Sequence, residues 1–243
     1  MEKSSYKKLT KVIEIQNQYD PDLRKIISKN NIIALIPIGS IEQHGMHLPI
    51  STDSDIVSKI SKILAKKYNL MLFPTLRYGC SSEHTPYFNI SLQPNTLQKI
   101  LVDICTSLHK NKIDRIIILN GHYGNKKYII QLRKKINIKD LEVNICSYWD
   151  FMSERMDHGG FVETSLMLAT STKTRMSFAK KGIILNDLHG EKLRLYKKML
   201  TKSFPRITKN GVIGDPSAAN VAAGKKIIHE IVKNFNNFIK LQS

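Results

Sequence analysis

Glu42 and His44 stand two residues apart in the stretch Gly39-Ser40-Ile41-Glu42-Gln43-His44-Gly45. In extended chain that spacing turns both side chains to one face. A carboxylate and an imidazole so placed can bind one divalent cation, or one each of two. Asp53 follows at the expected start of a helix, where a carboxylate can both cap the helix and bridge two metals. Three further segments carry the same chemistry: Asn120-Gly121-His122-Tyr123-Gly124-Asn125, Asp157-His158-Gly159-Gly160 and Glu163-Thr164-Ser165. Mixed His, Asp and Glu donors suit Zn²⁺, Mn²⁺ or Fe²⁺ better than Mg²⁺ or Ca²⁺. Taken alone, a His at a strand end is ordinarily structural and Asp53 is ordinarily a helix cap. The metal reading rests on several strand ends carrying His and carboxylates together.

The elements that must position these residues are legible in outline. Ile32 to Ile36 is a continuous apolar run, as in a strand buried on both faces. Ile56, Ile60, Ile63 and Leu64 recur at helical spacing, which predicts a helix over about 54–68. Leu70 to Phe73 is a second strand, and 77–93 is a long loop of the length usually reserved for function. Asp20-Pro21 opens a short helix, and Pro94 opens one to about Lys110. Arg115 to Leu119 is a third strand, followed by a helix to about Lys135. Val143 to Trp149 is a fourth strand, and Pro216 to Leu241 a closing helix. Strands alternating with helices predict an α/β chain: a three-layer α/β/α sandwich on a mainly parallel sheet, one domain over 1–243. In such folds sites form beyond the carboxyl ends of the strands, where the His and carboxylate segments fall.

Composition narrows the partners. The chain has 243 residues, 42% of them apolar, with a formal charge of +18. No apolar run reaches the roughly 20 residues of a membrane-spanning helix. Met1 to Lys11 lacks the apolar centre of a secretory signal, so the expected location is the cytoplasm. Cys80, Cys105 and Cys146 form no Cys-x-x-Cys pair, which argues against a disulfide framework or a zinc knot. The excess lysine is spread along the chain rather than clustered, so nucleic-acid binding is not expected. A small substrate is, and the +18 charge is compatible with an anionic one.

The quoted segments resemble a known family. Gly39 to Gly45, His47-Leu48-Pro49 and Thr52-Asp53 resemble the signature of creatininase (creatinine amidohydrolase). Asn120-Gly121-His122 resembles its second block, and His158-Gly159-Gly160 through Glu163-Thr164-Ser165 its third. Ser82-Glu83-His84 and Gly211-Val212-Ile213-Gly214-Asp215-Pro216 also match family positions, so the likeness runs from about Ile33 to Gly224. It implies hydrolysis of an amide-type C–N bond at a two-metal site (Zn, Fe or Mn), often in a homo-oligomer. Carried over, Glu42 and His122 hold one metal, His44 belongs to the second, and Asp53 bridges them. His158 takes a catalytic or substrate-facing place, read here as the proton donor to the leaving nitrogen because His titrates nearest neutrality. His84 and Tyr123 are expected to face the substrate.

One departure stands out. Creatininase has a Glu two residues after the His of the second block, whereas this chain has Gly124. Either the second metal takes another carboxylate, for which Glu163 is the candidate, or it is weakly held. The specific expectation is a deformylase acting on a formamidopyrimidine ribotide in flavin or deazaflavin biosynthesis. The alternatives are a creatinine-type cyclic amide hydrolase and a non-catalytic binding protein that keeps the fold. Creatininase surrounds creatinine with tryptophans, and this chain has only Trp149. A relative that trims a peptide from a cofactor precursor ranks last.

Overall fold

A computed structural model describes residues 12–29, 31–199 and 202–240. In chain order the elements are β1 (Ile13–Glu14), α1 (Asp20–Lys29), β2 (Ile33–Ile38), α2 (Thr52–Tyr68), β3 (Met71–Leu72), α3 (Pro94–Lys110), β4 (Arg115–Asn120), α4 (Lys126–Ile129), α5 (Leu132–Lys135), β5 (Glu142–Ser147), α6 (Phe161–Thr170), α7 (Gly190–Met199) and α8 (Val221–Lys240). The five strands form one sheet in the order β1-β3-β2-β4-β5, and every pairing is parallel.

Alternation along the strands explains both apolar layers. In β2, Leu35 points into one core with Ile56, Leu64 and Phe235, while Ala34, Ile36 and Ile38 point into the other with Leu97, Leu101 and Cys105. Ile117 and Leu119 of β4 join the first layer, Ile116 and Ile118 the second. Side chains two apart share a face, so a strand covered on both sides must be apolar throughout. Helices α2, α6 and α8 supply the first layer, and α1, α3, α4 and α5 the second. Gly224 lets α8 lie against α6, because a Cβ there would fall 2.0 Å from the Ser165 carbonyl. The three-layer α/β/α architecture is thus as expected. Among the described residues no helix is long and apolar enough to cross a membrane.

Some boundaries differ from expectation. Helix α3 coincides with its expected span, and α2 begins at Thr52, so Asp53 lies in its first turn. β2 continues past Ile36 through Pro37 to Ile38. β5 stops at Ser147, where a capping box between Ser147 and Asp150 turns the chain into a short 3-10 helix over Tyr148–Phe151. The helix expected after His122 is broken into a 3-10 turn, α4 and α5. The closing helix starts at Val221, after a separate turn capped by Asp215; its expected end at Leu241 lies outside the described residues. Helices α6 and α7 lacked a readable stripe for opposite reasons. α6 is buried over most of its surface, whereas α7 has no buried residue.

Candidate metal centre and active site

Sheet register brings the chemical residues together. Ile38, Asn120 and Ser147 lie side by side at the carboxyl ends of β2, β4 and β5, so the segments that follow open on one edge. The segment after β2 is clamped: the Glu42 N–H donates to the Ile50 carbonyl (3.0 Å) and the Gln43 N–H to that of Phe88 (2.9 Å). Gly39 admits the start of α2, since a Cβ would meet Ser54 Oγ at 2.5 Å. After β4, the Asn120 amide donates to the His122 carbonyl at 2.8 Å. Asn125 Nδ2 donates to the Gly39 carbonyl at 3.1 Å, tying this loop to the one after β2.

Five donors converge at the floor of this edge: Glu42, His44, Asp53, His122 and Glu163, all at most 3% exposed. Asp53 faces two imidazoles, with Oδ1 3.1 Å from His44 Nε2 and Oδ2 2.9 Å from His122 Nδ1. Glu42 Oε2 lies 3.3 Å from His122 Nδ1, and Glu163 Oε2 lies 3.4 Å from His44 Nε2. Each imidazole is oriented through its other nitrogen: His44 Nδ1 donates to the Glu42 carbonyl (3.1 Å) and His122 Nε2 to that of Cys80 (2.8 Å). Anchoring one ring nitrogen on a backbone carbonyl is how proteins fix an imidazole for metal ligation.

The donor set fits divalent cations. Glu42 Oε1, Glu42 Oε2 and Asp53 Oδ2 are buried without an aligned hydrogen bond, a costly state for carboxylates unless a cation meets them. Ligand atoms of Glu42, His44 and Asp53 lie within 4.8 Å of one another, as do those of His44, His158 and Glu163. The electrostatics agree. Burial opposes charging His44 and His122, but the carboxylates outweigh it. His44 is held well above its usual range by Asp53 and Glu163, and His122 is raised to about 10 chiefly by Glu42 and Asp53. Protons thus stand where cations would bind.

Beside the floor, His158 stacks on His44 with ring centroids 4.1 Å apart, and Phe204 closes on it from the other side at 4.7 Å. Its Nε2 donates to the Gln43 carbonyl at 2.8 Å, leaving Nδ1 turned inward, 3.8 Å from Glu42 Oε1. Burial, then His44 and His84, hold His158 well below its usual pKa. The premise that it titrates near neutrality is therefore corrected: it stays neutral, with a lone pair facing the site. His84 Nε2 lies 3.2 Å from Glu42 Oε1, and its Nδ1 accepts from Gln43 Nε2 at 3.1 Å.

A cavity of about 680 Å³ opens above these groups. Tyr123, Trp149, Tyr196 and Phe204 give it aromatic walls, and Lys126, Arg155 and Lys197 lie at its lining. Tyr123, expected to face substrate, does line the cavity, though 51% exposed. Sequence reasoning passed over Gln43, Glu83, Asp157 and the residues of α7. Gln43 and Glu83 were visible inside quoted motifs, while nothing local marked α7. Asp157 accepts from the Val162 and Glu163 N–H groups at the start of α6; burial and then Glu163 raise it to about 8. His47, also unforeseen, is tied to Thr164 Oγ1 at 2.9 Å and joins the first loop to α6.

Fold and floor together define a class: an α/β/α protein with a His and carboxylate cluster suited to divalent metals at the carboxyl edge of its sheet. The model of the family Creatininase, described as creatinine amidohydrolase, matches residues 16–239, and the chain belongs to that family. It is a hydrolase of C–N bonds. It is 30% identical to the creatinine amidohydrolase of Pseudomonas putida, over 59% of this chain and 66% of that protein, just under two thirds of its length. It is 26% identical to a mycofactocin precursor peptide peptidase of Mycolicibacterium smegmatis, over 86% of this chain and 84% of that one. It is also 26% identical to the 2-amino-5-formylamino-6-ribosylaminopyrimidin-4(3H)-one 5'-monophosphate deformylase of Methanocaldococcus infernus, over 85% and 90%. A crystal structure of creatininase superposes with a TM-score of 0.83 at 22% identity, covering 96% of this chain and 98% of that one. Solved creatininases include forms described as Mn and Zn-Zn.

Proposed function

We propose that this protein is a two-metal amidohydrolase that removes a small acyl group, foremost a formyl group, from the amino nitrogen of an anionic heterocycle. The observation that carries the reading is Asp53, whose two oxygens face different imidazoles. Glu42, Asp53 and His122 would hold one cation, and His44, Asp53 and Glu163 the other. Cations held there would supply Lewis acidity for a carbonyl and would lower the pKa of a water toward neutrality. His158, neutral with Nδ1 inward, takes a proton from the attacking water and returns it to nitrogen. The water oxygen bonds to the acyl carbon, the C–N bond breaks, and the nitrogen leaves with that proton. Tyr123 and Trp149 flank a flat ring, and Arg155 and Lys197 suit an anionic group. The deformylase relative and the cavity size support this substrate over creatinine.

The test is a panel assay on Zn- and Mn-loaded protein with the formylamino ribotide, creatinine and a C-terminal peptide amide, read by mass spectrometry. Formate released only from the first, and abolished by chelator, is the expected result. Turnover of creatinine alone, or turnover indifferent to chelator, rejects the reading. Self-association is part of the same proposal. Met46, Ile50, Phe88 and Ile90 are 43–56% exposed on the clamped loops beside the site, and light scattering should find an oligomer.

A further inference from the structure

Gly124 has a steric reason of its own. A Cβ there would fall 2.4 Å from the Cys80 carbonyl, 2.4 Å from His122 Nε2 and 2.6 Å from Glu83 Oε1. The volume a side chain would take at position 124 is thus partly filled by the carboxylate of Glu83, delivered from the 3-10 turn Ser82–His84. That carboxylate is half-buried and lines the catalytic cavity.

Five carboxylates line the cavity: Glu42, Asp53, Glu83, Asp157 and Glu163. Glu42, Asp53 and Glu163 face the floor imidazoles. Asp157 is engaged by the Val162 and Glu163 N–H groups. Glu83 is the remainder: among the described residues it makes no side-chain hydrogen bond or close ion pair, and it feels the charges of His122, Glu42 and His84 only at longer range. A carboxylate is an acceptor only, and it binds strongest to charged or paired N–H donors. The floor carries the groups that would hold cations and engage a carbonyl; Glu83, in the same lining, can accept from the part of a substrate across the C–N bond.

We propose that Glu83 anchors the nitrogen side of the substrate by accepting hydrogen bonds from its N–H groups, and that Gly124 exists to admit it. The substrate class is an amide whose nitrogen portion bears N–H donors, amino or amidine in character, on a flat body lying along Trp149. The proposal rests on the amidohydrolase reading of the floor but not on any one substrate.

The test needs no turnover. Trp149 is the only tryptophan and lines the same cavity, so its fluorescence reports ligand entry. The zinc-loaded protein is titrated with benzamidine, a flat ring bearing N–H donors, and with benzoate as the acceptor control. Glu83→Gln should weaken benzamidine binding about tenfold or more, leave benzoate no weaker, and leave zinc content unchanged. Glu83→Asp should fall between. In turnover, Glu83→Gln should raise KM more than it lowers kcat. Equal benzamidine affinity in wild type and Glu83→Gln, or no saturable binding to the wild type, overturns the proposal. So does loss of zinc in Glu83→Gln, which would make Glu83 a support for His122 instead. If benzamidine behaves as expected but no amide is hydrolysed, the amidohydrolase reading fails and the anchor stands.

Discussion

The floor and the mouth of the cavity are built to different standards. At the floor, Glu42, His44, Asp53, His122 and Glu163 are at most 3% exposed, and His44 and His122 are each tied to a backbone carbonyl. At the mouth, Tyr123 is 51% exposed, and α7 contributes Leu193, Tyr196 and Lys197 to the lining while burying none of its own residues. Groups that must hold metal and move a proton need positions fixed to fractions of an ångström. Groups that select a substrate tolerate a looser mount. The difference suggests that changes at the floor stop the reaction and changes at the mouth redirect it.

The hardest test of that contrast is Asp53→Ala. A carboxylate facing both imidazoles serves both cations, so both should be lost, with activity down by roughly 10²–10³-fold or more. His44→Ala should lose chiefly one cation. Metal analysis of the two purified variants decides it, and equal retention would refute bridging by Asp53.

Glu163→Gln comes next. It should lower occupancy of the second metal and activity together while the first metal stays. Full occupancy and full turnover would leave Glu163 as a residue of α6 that merely accepts from the Gly159 N–H, at 2.7 Å. Gly124→Ala removes no charge and no ligand, yet it should weaken metal binding about 10–100-fold, the usual cost of disturbing a ligand's support. Its Cβ collides with the groups that orient His122. Unchanged affinity would show that the floor is softer than the geometry suggests.

Proton coupling gives a smaller and graded effect. In the metal-free protein His122 is raised to about 10, so at pH 7 it carries a proton that a cation must displace. Metal uptake should therefore release protons, and affinity should rise with pH and fall as the medium is acidified. Calorimetry in buffers of different ionisation enthalpy measures the release; proton-neutral uptake at pH 7 would contradict it. The smallest expected effect lies at the mouth. Lys197→Ala should raise KM for an anionic substrate a few-fold, with metal content unchanged and stability within about 0.5 kcal/mol. Loss of metal in that variant would erase the distinction between floor and mouth.

Much of this was visible in the chain itself. The run Ile32 to Ile36 announced a strand covered on both faces, and β2 is one. The stretch from Pro94 to about Lys110 announced α3, which spans Pro94–Lys110. Asp53 at a helix start and His122 past a strand end were placed correctly because cap chemistry and strand limits are local. The broken helix after His122 was not legible, and nothing local to 126–135 explains the break. Glu83 stood inside a quoted motif, but its sequence neighbours do not include Gly124, the position it fills.

Local periodicity therefore determined the alternation of strands and helices, the two apolar layers and the edge where His and carboxylates gather, because each depends on residues a few positions apart. Only the tertiary structure decided which oxygen of Asp53 meets which imidazole, that His158 keeps its proton on Nε2 and stays neutral, and that Gly124 yields its space to Glu83. These depend on register between β2, β4 and β5 and on burial by Phe204 and α6. Such contacts join residues far apart in the chain, and the pKa of a buried group is set by neighbours that only folding supplies.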